Sequence, residues 1–279
     1  TGVAERRFRI GVVAPGGFMK PETPERLDGA LGAAFGAGAP EVVFHPQCFE
    51  VCGHFAGDDA RRLSAFVEVA NDPAVDAVWF GKGGYGANRI AERAVAALGP
   101  VARAKPYLGY SDAGFLLAAL DRAGFERVAH GPMAQDVLRE GGGAAVERAV
   151  NWLTRRDPAA LEPSAARDGP ALALNLTILS ALLGTPLEPD FADRVLMVEE
   201  VGEHMYRIDR LLFHVTSNPS VRRARGLRLG RLDPVPDNDP DFVRGGEDVA
   251  REWCERSGLA WLGRADIGHD ADNKVVPFR

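Results

Sequence analysis

Short apolar runs alternate with longer stretches of helical spacing through the first half of the chain. Phe8 to Ala14 is β-rich and stops at Pro15-Gly16-Gly17, the pattern of a buried strand ended by a turn. Thr23 to Phe35 has helical spacing, with Thr23 expected as the cap and Pro24 at the first helical position. Glu41 to Phe44 reads as a second strand. Asp58 to Ala70 places Ala60, Leu63, Phe66, Val67 and Ala70 on one helical face. Ala74 to Phe80 is a third strand and runs into Gly81-Lys82-Gly83-Gly84-Tyr85-Gly86. A helix over Ala87 to Leu98, a strand over Pro106 to Tyr110 and a helix over Ala113 to Ala123 follow. Strands alternating with helices in this way predict a parallel sheet covered on both faces.

The pattern changes near residue 136. Residues 139 to 170 hold Gly141-Gly142-Gly143, prolines and charges, and read as a connecting segment with one helix around Ala145 to Thr154. Alternation then resumes with an apolar run at Ala171 to Leu174, a helix at Leu176 to Leu183, a strand at Arg194 to Val198 and a helix at Tyr206 to Ser217. Arg225 to Leu232 reads as a strand, Leu232 to Phe242 as a loop, Glu247 to Ser257 as a helix, and Lys274 to Arg279 as an extended tail. The expected fold class is α/β. A Rossmann- or flavodoxin-like domain (1–136) and a connection (137–169) precede a smaller C-terminal α/β domain (170–279), with the active site between the domains.

Composition narrows the function classes. With 279 residues, 46% hydrophobic and 26% charged, the chain can bury cores and is neither disordered, fibrous nor membrane-spanning. Net charge is −6, and the 33 basic residues are dispersed except at Arg222-Arg223-Ala224-Arg225, so no nucleic-acid partner is expected. Thr1 to Arg9 lacks the apolar core of a signal peptide. Three cysteines, Cys48, Cys52 and Cys254, do not suggest a disulfide framework and fit a reducing compartment, so a cytoplasmic location is expected.

The glycine-rich loop is the first candidate for chemistry. Its unobstructed N–H groups, between a strand and a helix, suit a phosphate, an oxyanion or simply a tight turn. It lacks the Gly-Lys-Ser/Thr ending of a P-loop and does not fit G-x-G-x-x-G with a following acid. Gly109-Tyr110-Ser111-Asp112 sets a serine between a strand and a helix, where it serves either as a nucleophile raised above the sheet edge or as part of an ordinary helix cap.

A serine nucleophile needs a base and an orienting acid. His45 adjoins a strand, and His54 lies near Cys48 and Cys52 without the second ligand pair of a zinc site. His130 lines a pocket or ends a strand, and His204 and His214 sit in or beside a helix. His269, in the polar turn Gly268-His269-Asp270, is placed to present an imidazole from a loop. The acids Glu199, Glu200 and Glu203 follow one strand, and spacing does not choose among them.

These motifs occur in an order that resembles the LD-carboxypeptidase family of serine peptidases. The shared features are the glycine-rich loop, Gly109 to Asp112, His130-Gly131-Pro132-Met133, Asn175-Leu176 through Gly184-Thr185-Pro186, Glu199 to Glu203 with Tyr206 to Arg210, and Gly268-His269 with Asn273 and Pro277. The resemblance covers Ile10 to Pro277. It implies a metal-free Ser-Glu-His triad of Ser111, Glu199 and His269, with the oxyanion held by the backbone N–H groups of Gly84 and Asp112. No cofactor or membrane partner is implied. It also implies a homodimer that cleaves terminal D-alanine from the L-centre of meso-diaminopimelate or lysine in murein tetrapeptides. Lys82, Tyr85 and Arg89 are the candidate substrate contacts. Ala173-Leu174 stands where the family usually has glycines, and Gly114 where it has a hydroxyl residue. Lys82 replaces a commoner arginine and Glu200 a commoner aspartate. The alternatives are a microcin-type acyl-sulfamoyl nucleotide peptidase, with Trp261 a candidate base platform, and a non-catalytic ligand-binding protein.

Overall fold

The computed structural model describes residues 6–279. The first half contains β1 (Arg9–Val13), α1 (Thr23–Phe35), β2 (Glu41–Phe44), α2 (Asp59–Asn71), β3 (Ala77–Phe80), α3 (Ala91–Ala96), α4 (Pro100–Arg103), β4 (Tyr107–Gly109), α5 (Gly114–Arg122) and β5 (Val128–His130). These strands pair in parallel in the order β5-β4-β3-β1-β2. The central strands β3 and β4 are buried throughout, as expected where helices cover both faces of a parallel sheet. Strand order reverses between β1 and β3, and in such sheets the crevice beyond the carboxyl ends of the strands is the usual ligand site.

Helices α6 (Gly142–Arg155) and α7 (Ala165–Asp168) lead into a second parallel sheet. It is built from β6 (Ala171–Asn175), α8 (Leu176–Leu182), β7 (Val195–Glu199), α9 (Met205–Ser217), β8 (Gly226–Leu229), α10 (Gly246–Ser257) and β9 (Trp261–Arg264), with strand order β6-β7-β8-β9. The chain then returns to the first sheet, where β10 (Val276–Pro277) pairs antiparallel with β5.

Several details differ from the expectation. Thr23 is a buried residue within α1 rather than its cap; Glu22 precedes the helix and makes no side-chain capping bond. The helix expected over Ala87 to Leu98 is a 3-10 turn, Ala87–Arg89, followed by the short α3, and Gly99-Pro100 starts α4. A proline restricts the residue before it and ends helices there. Strand β9 was not expected: four partly exposed residues including Gly263 at φ 86° carry little periodic signal. The extended tail is a paired strand.

One apolar cluster runs through both halves, joining Leu116 and Leu117 of α5 to Leu174, Leu179 and Leu196. At the end of α5 the buried Asp121 accepts hydrogen bonds from Arg194 Nη1 (2.7 Å), just before β7, and from Arg279 Nε (3.0 Å) at the chain end. Removing one partner of a buried ion pair leaves the other charge without compensation. Asp121→Ala is therefore expected to lower stability by about 3 kcal/mol in urea denaturation, and a loss below about 1 kcal/mol, the surface-pair scale, would show that the bridge does not join the halves.

Candidate active site

Strand β4 delivers Ser111. Tyr110 is still extended at φ −157°, whereas Ser111 has φ 59° and opens a 3-10 turn, Ser111–Ala113, that runs into α5. A left-handed serine between strand and helix is a strained turn of the nucleophile-elbow kind, which lifts the hydroxyl above the sheet edge.

The glycine-rich loop presses against this turn. A Cβ at Gly83 would stand 2.8 Å from Ser111 Oγ and 2.9 Å from its Cβ, so only glycine fits. The Gly83 carbonyl accepts from Gly17 N–H at 3.0 Å, and Gly84 and Gly86 have φ of 100° and 133°, a region open to glycine. The buried Arg62 guanidinium donates to the carbonyls of Gly86 (2.8 Å) and Pro15 (2.5 Å), tying the loops after β1 and β3 together.

Asp112 does not cap its own helix. Its buried Oδ2 accepts the Ala87 N–H at 2.9 Å, clamping the far end of the glycine-rich loop to the serine turn. Burial raises its pKa to about 6, against the opposing pull of the Ala87 and Gly86 N–H groups.

The other half of the site comes from the second sheet. Glu199, the last residue of β7, is fully buried, and its Oε2 lies 2.5 Å from His269 Nδ1. His269 Nε2 lies 3.0 Å from Ser111 Oγ. A carboxylate at Glu199 accepts from Nδ1–H, which leaves Nε2 free to accept the serine proton. Burial disfavours the imidazolium, but the charge and hydrogen bond of Glu199, with Glu200 further off, outweigh it and raise the His269 pKa above 6.5. Asn273 Oδ1 accepts from Gly268 N–H (3.1 Å) and lies 2.9 Å from His130 Nε2, so the loop carrying His269 is fixed to β5 of the first sheet.

The three acids left open by spacing have separate places. Glu200 accepts from Asn175 Nδ2 (2.8 Å) and from the Thr177 N–H (2.9 Å) and hydroxyl (2.7 Å), at the start of α8. Glu203 pairs with Arg207. Only Glu199 meets the imidazole. The two departures behind the serine meet each other: a Cβ at Gly114 would lie 3.2 Å from both Leu174 Cδ2 and Ile178 Cγ2, so Leu174 occupies the space that a larger residue at 114 would need.

A cavity of about 320 Å³ opens in front of Ser111 and His269. Lys82 and Gly84 line it, with Lys82 Nζ donating to the Phe18 carbonyl at 3.1 Å. Arg89 and Tyr85 are not among its lining residues. Arg89 is paired with Asp59, and Tyr85 is exposed beside His54 and Phe55. Lys20, Gln135 and Arg139 also line the cavity and were missed in the sequence. Arg139 fell in the segment read as a connection, and its one local signal is Asp136 three residues earlier. Trp261 lies on β9, away from the lining.

A serine, an imidazole and a carboxylate in hydrogen-bonded series at the crevice of an α/β fold are the arrangement of a serine hydrolase. Residues 10–131 match the LD-carboxypeptidase N-terminal domain and residues 168–279 the LD-carboxypeptidase C-terminal domain, and the chain belongs to this family. A probable murein peptide carboxypeptidase of Bacillus subtilis is 27% identical over 96% of this chain and 86% of its own. The crystal structure of a muramoyltetrapeptide carboxypeptidase from Oxalobacter formigenes superposes with a TM-score of 0.78 at 24% identity, covering 96% of this chain and 92% of that one. The microcin C7 self-immunity protein MccF, in complex with aspartyl sulfamoyl adenosine, superposes with a TM-score of 0.79 at 16% identity, covering 98% and 91%. At these identities the two structures speak to the fold alone.

Three outcomes test the geometry. Gly83→Ala is expected to lower kcat/KM by about 100-fold with folding retained, because the added methyl displaces Ser111; an unchanged rate would refute the close approach. In the unmodified protein activity should fall as pH drops through a value above 6.5, since only the neutral imidazole accepts a proton. Glu199→Gln should cost about 10⁴-fold and, by removing the charge that stabilises the imidazolium, move the acid limb to lower pH. A limb that stays in place or moves up would separate Glu199 from the base.

Proposed function

We propose that this serine peptidase releases D-alanine from murein tetrapeptides, cleaving after the L-centre of meso-diaminopimelate or lysine. Ser111 attacks the carbonyl, His269 takes the hydroxyl proton through Nε2 and passes it to the leaving amine, and Glu199 stabilises the imidazolium. The acyl-enzyme on Ser111 is then hydrolysed by water that His269 activates. The observation that carries the proposal is the series Ser111 to His269 to Glu199, at 3.0 and 2.5 Å, facing the cavity.

The oxyanion is assigned to the N–H groups of Gly84 and Asp112. Support for Gly84 lies in the Gly83 carbonyl, which Gly17 holds; a trans peptide turns its N–H the opposite way. Support for Asp112 is its place directly after a serine at an elbow. Each such donor is worth about 3 kcal/mol in the transition state. A cytoplasmic location and a homodimeric assembly belong to the same proposal. The first is supported by three free cysteines. The second rests on the family resemblance.

The murein substrate is favoured over a nucleotide conjugate because, among the described residues and apart from His269, Tyr110 is the one aromatic residue lining the cavity, and its ring is buried against His269. Purified protein given tetrapeptide, with and without its sugar chain, is expected to release D-alanine, and Ser111→Ala to lose at least about 10³-fold. Hydrolysis of an aminoacyl-sulfamoyl adenosine instead would overturn the substrate. Undiminished activity in Ser111→Ala would overturn the nucleophile, and muropeptide binding without hydrolysis of either compound would make the chain a binding protein.

A further inference from the structure

The cavity in front of Ser111 carries three cationic side chains, Lys20, Lys82 and Arg139, against one carboxylate, Asp136. Glu199 does not offset them there, since it is fully buried behind the imidazole. A wall with more cations than carboxylates beside the serine selects an anionic part of the substrate.

The three cations are not equivalent. Lys20 is exposed, and Lys82 is drawn toward Phe18, whose carbonyl accepts from it and whose ring centroid is 5.5 Å away. Arg139 is held by a prearranged support. Asp136, 5% exposed, accepts from Tyr110 O–H (3.0 Å), Met133 N–H (2.8 Å) and Arg139 Nε (2.8 Å). Arg139 Nη2 reaches toward the Tyr110 hydroxyl at 3.4 Å. The side edge of the guanidinium is thus occupied. Its end edge, Nη1 with the second Nη2 hydrogen, takes no protein acceptor among the described residues, and that fork matches a carboxylate. The Tyr110 ring also packs on His269, with centroids 4.8 Å apart, which sets the guanidinium at a fixed position relative to the base.

We infer that Arg139, positioned by Asp136 and Tyr110, binds the terminal carboxylate of the residue that is released and so restricts cleavage to the last bond of the peptide. The inference rests on the carboxypeptidase reading; of the two cations among the candidate substrate contacts, Arg89 is committed to Asp59 and Lys82 to the Phe18 carbonyl. A peptide extended by another residue, or amidated, presents a neutral amide to the fork and leaves its end edge without a carboxylate acceptor.

The test pairs a change in the protein with a change in the ligand. Calorimetry on Ser111→Ala protein, which removes the chemistry, compares murein tetrapeptide with its C-terminal amide. The acid is expected to bind at least about tenfold tighter. Adding Arg139→Gln should bring this preference to near unity while leaving affinity for the amide unchanged, and Arg139→Lys should retain part of it. In protein with Ser111 intact, Arg139→Gln should raise KM for the acid with a smaller change in kcat. A preference that survives Arg139→Gln overturns the inference, as does equal weakening of both ligands, the mark of a merely structural arginine, or failure of the acid to bind. Failure of the unmodified protein to release D-alanine is a separate result, which strikes the proposed reaction and leaves the calorimetric comparison to judge the subsite.

Discussion

The bond between His269 and Glu199 is the constraint from which the rest of the site follows. A fully buried carboxylate is costly unless a partner compensates it, and the other oxygen of Glu199 finds no hydrogen-bond partner among the described residues. The imidazole is therefore the main group that makes a charge at the end of β7 tolerable. That requirement fixes the His269 loop, and the loop is secured from the opposite side: Asn273 Oδ1 receives the Gly268 N–H and meets His130 at the end of β5. Since Asn273 lies shortly before β10, which pairs with β5, the imidazole is registered against both sheets through strand pairing. The imidazole is thus built into the junction of the two halves.

The serine side solves a different problem. A left-handed φ at Ser111 costs on the order of 1–3 kcal/mol, and it persists because neighbours over-determine it. Pairing of β4 on both edges holds the residues before the turn, and the Asp112 carboxylate binds the Ala87 N–H after the glycine-rich loop. Gly83 fills the remaining space so closely that a methyl group there would collide with the serine. Arg62 then joins the loop to the segment after β1. The serine turn and the glycine-rich loop are in this way set in place before a substrate arrives, the condition under which the proposed oxyanion donors would act most effectively.

How much of this was legible depends on how local each cause is. The strand and helix alternation could be read because residues 10–13 of β1, β3 and residues 195–198 of β7 are continuous runs without a polar side chain, the signature of strands buried on both faces. Strand β9 could not, because a short edge strand with a glycine has neither length nor period. Ser111 stood out only when its motif was taken with the glycine-rich loop and the downstream motifs. Glu199, Glu200 and Glu203 were indistinguishable by spacing. What separates them is where the chain turns after β7, with Glu200 drawn to the start of α8 by Asn175 and Thr177. Asp112 looked like a helix cap, and its real partner, Ala87, is 25 residues away. Arg139 was hidden for the same reason: its surroundings are assembled from Tyr110, Met133 and Asp136, and no local rule marks an arginine before a glycine run as part of a cavity.

The origin of the cavity wall separates two tasks in this fold. Apart from His269, the residues lining it come from the first half of the chain, from the loops that follow β1, β3, β4 and β5. Strand β7 of the second sheet contributes the carboxylate, and the loop between β9 and β10 the imidazole in front of it. In the proposed mechanism proton transfer falls on buried, tightly paired groups whose replacement is costly, and ligand contact on loop side chains that can change without disturbing the sheet. The departures from the family pattern obey this division. Lys82, in place of a commoner arginine, lies on the wall, whereas the exchange at Gly114 and Leu174 is a packing matter in which one side chain fills the room the other gives up. Changes of substrate among proteins of this architecture are then expected on the loops of the first sheet, with the geometry of Glu199 and His269 held in common.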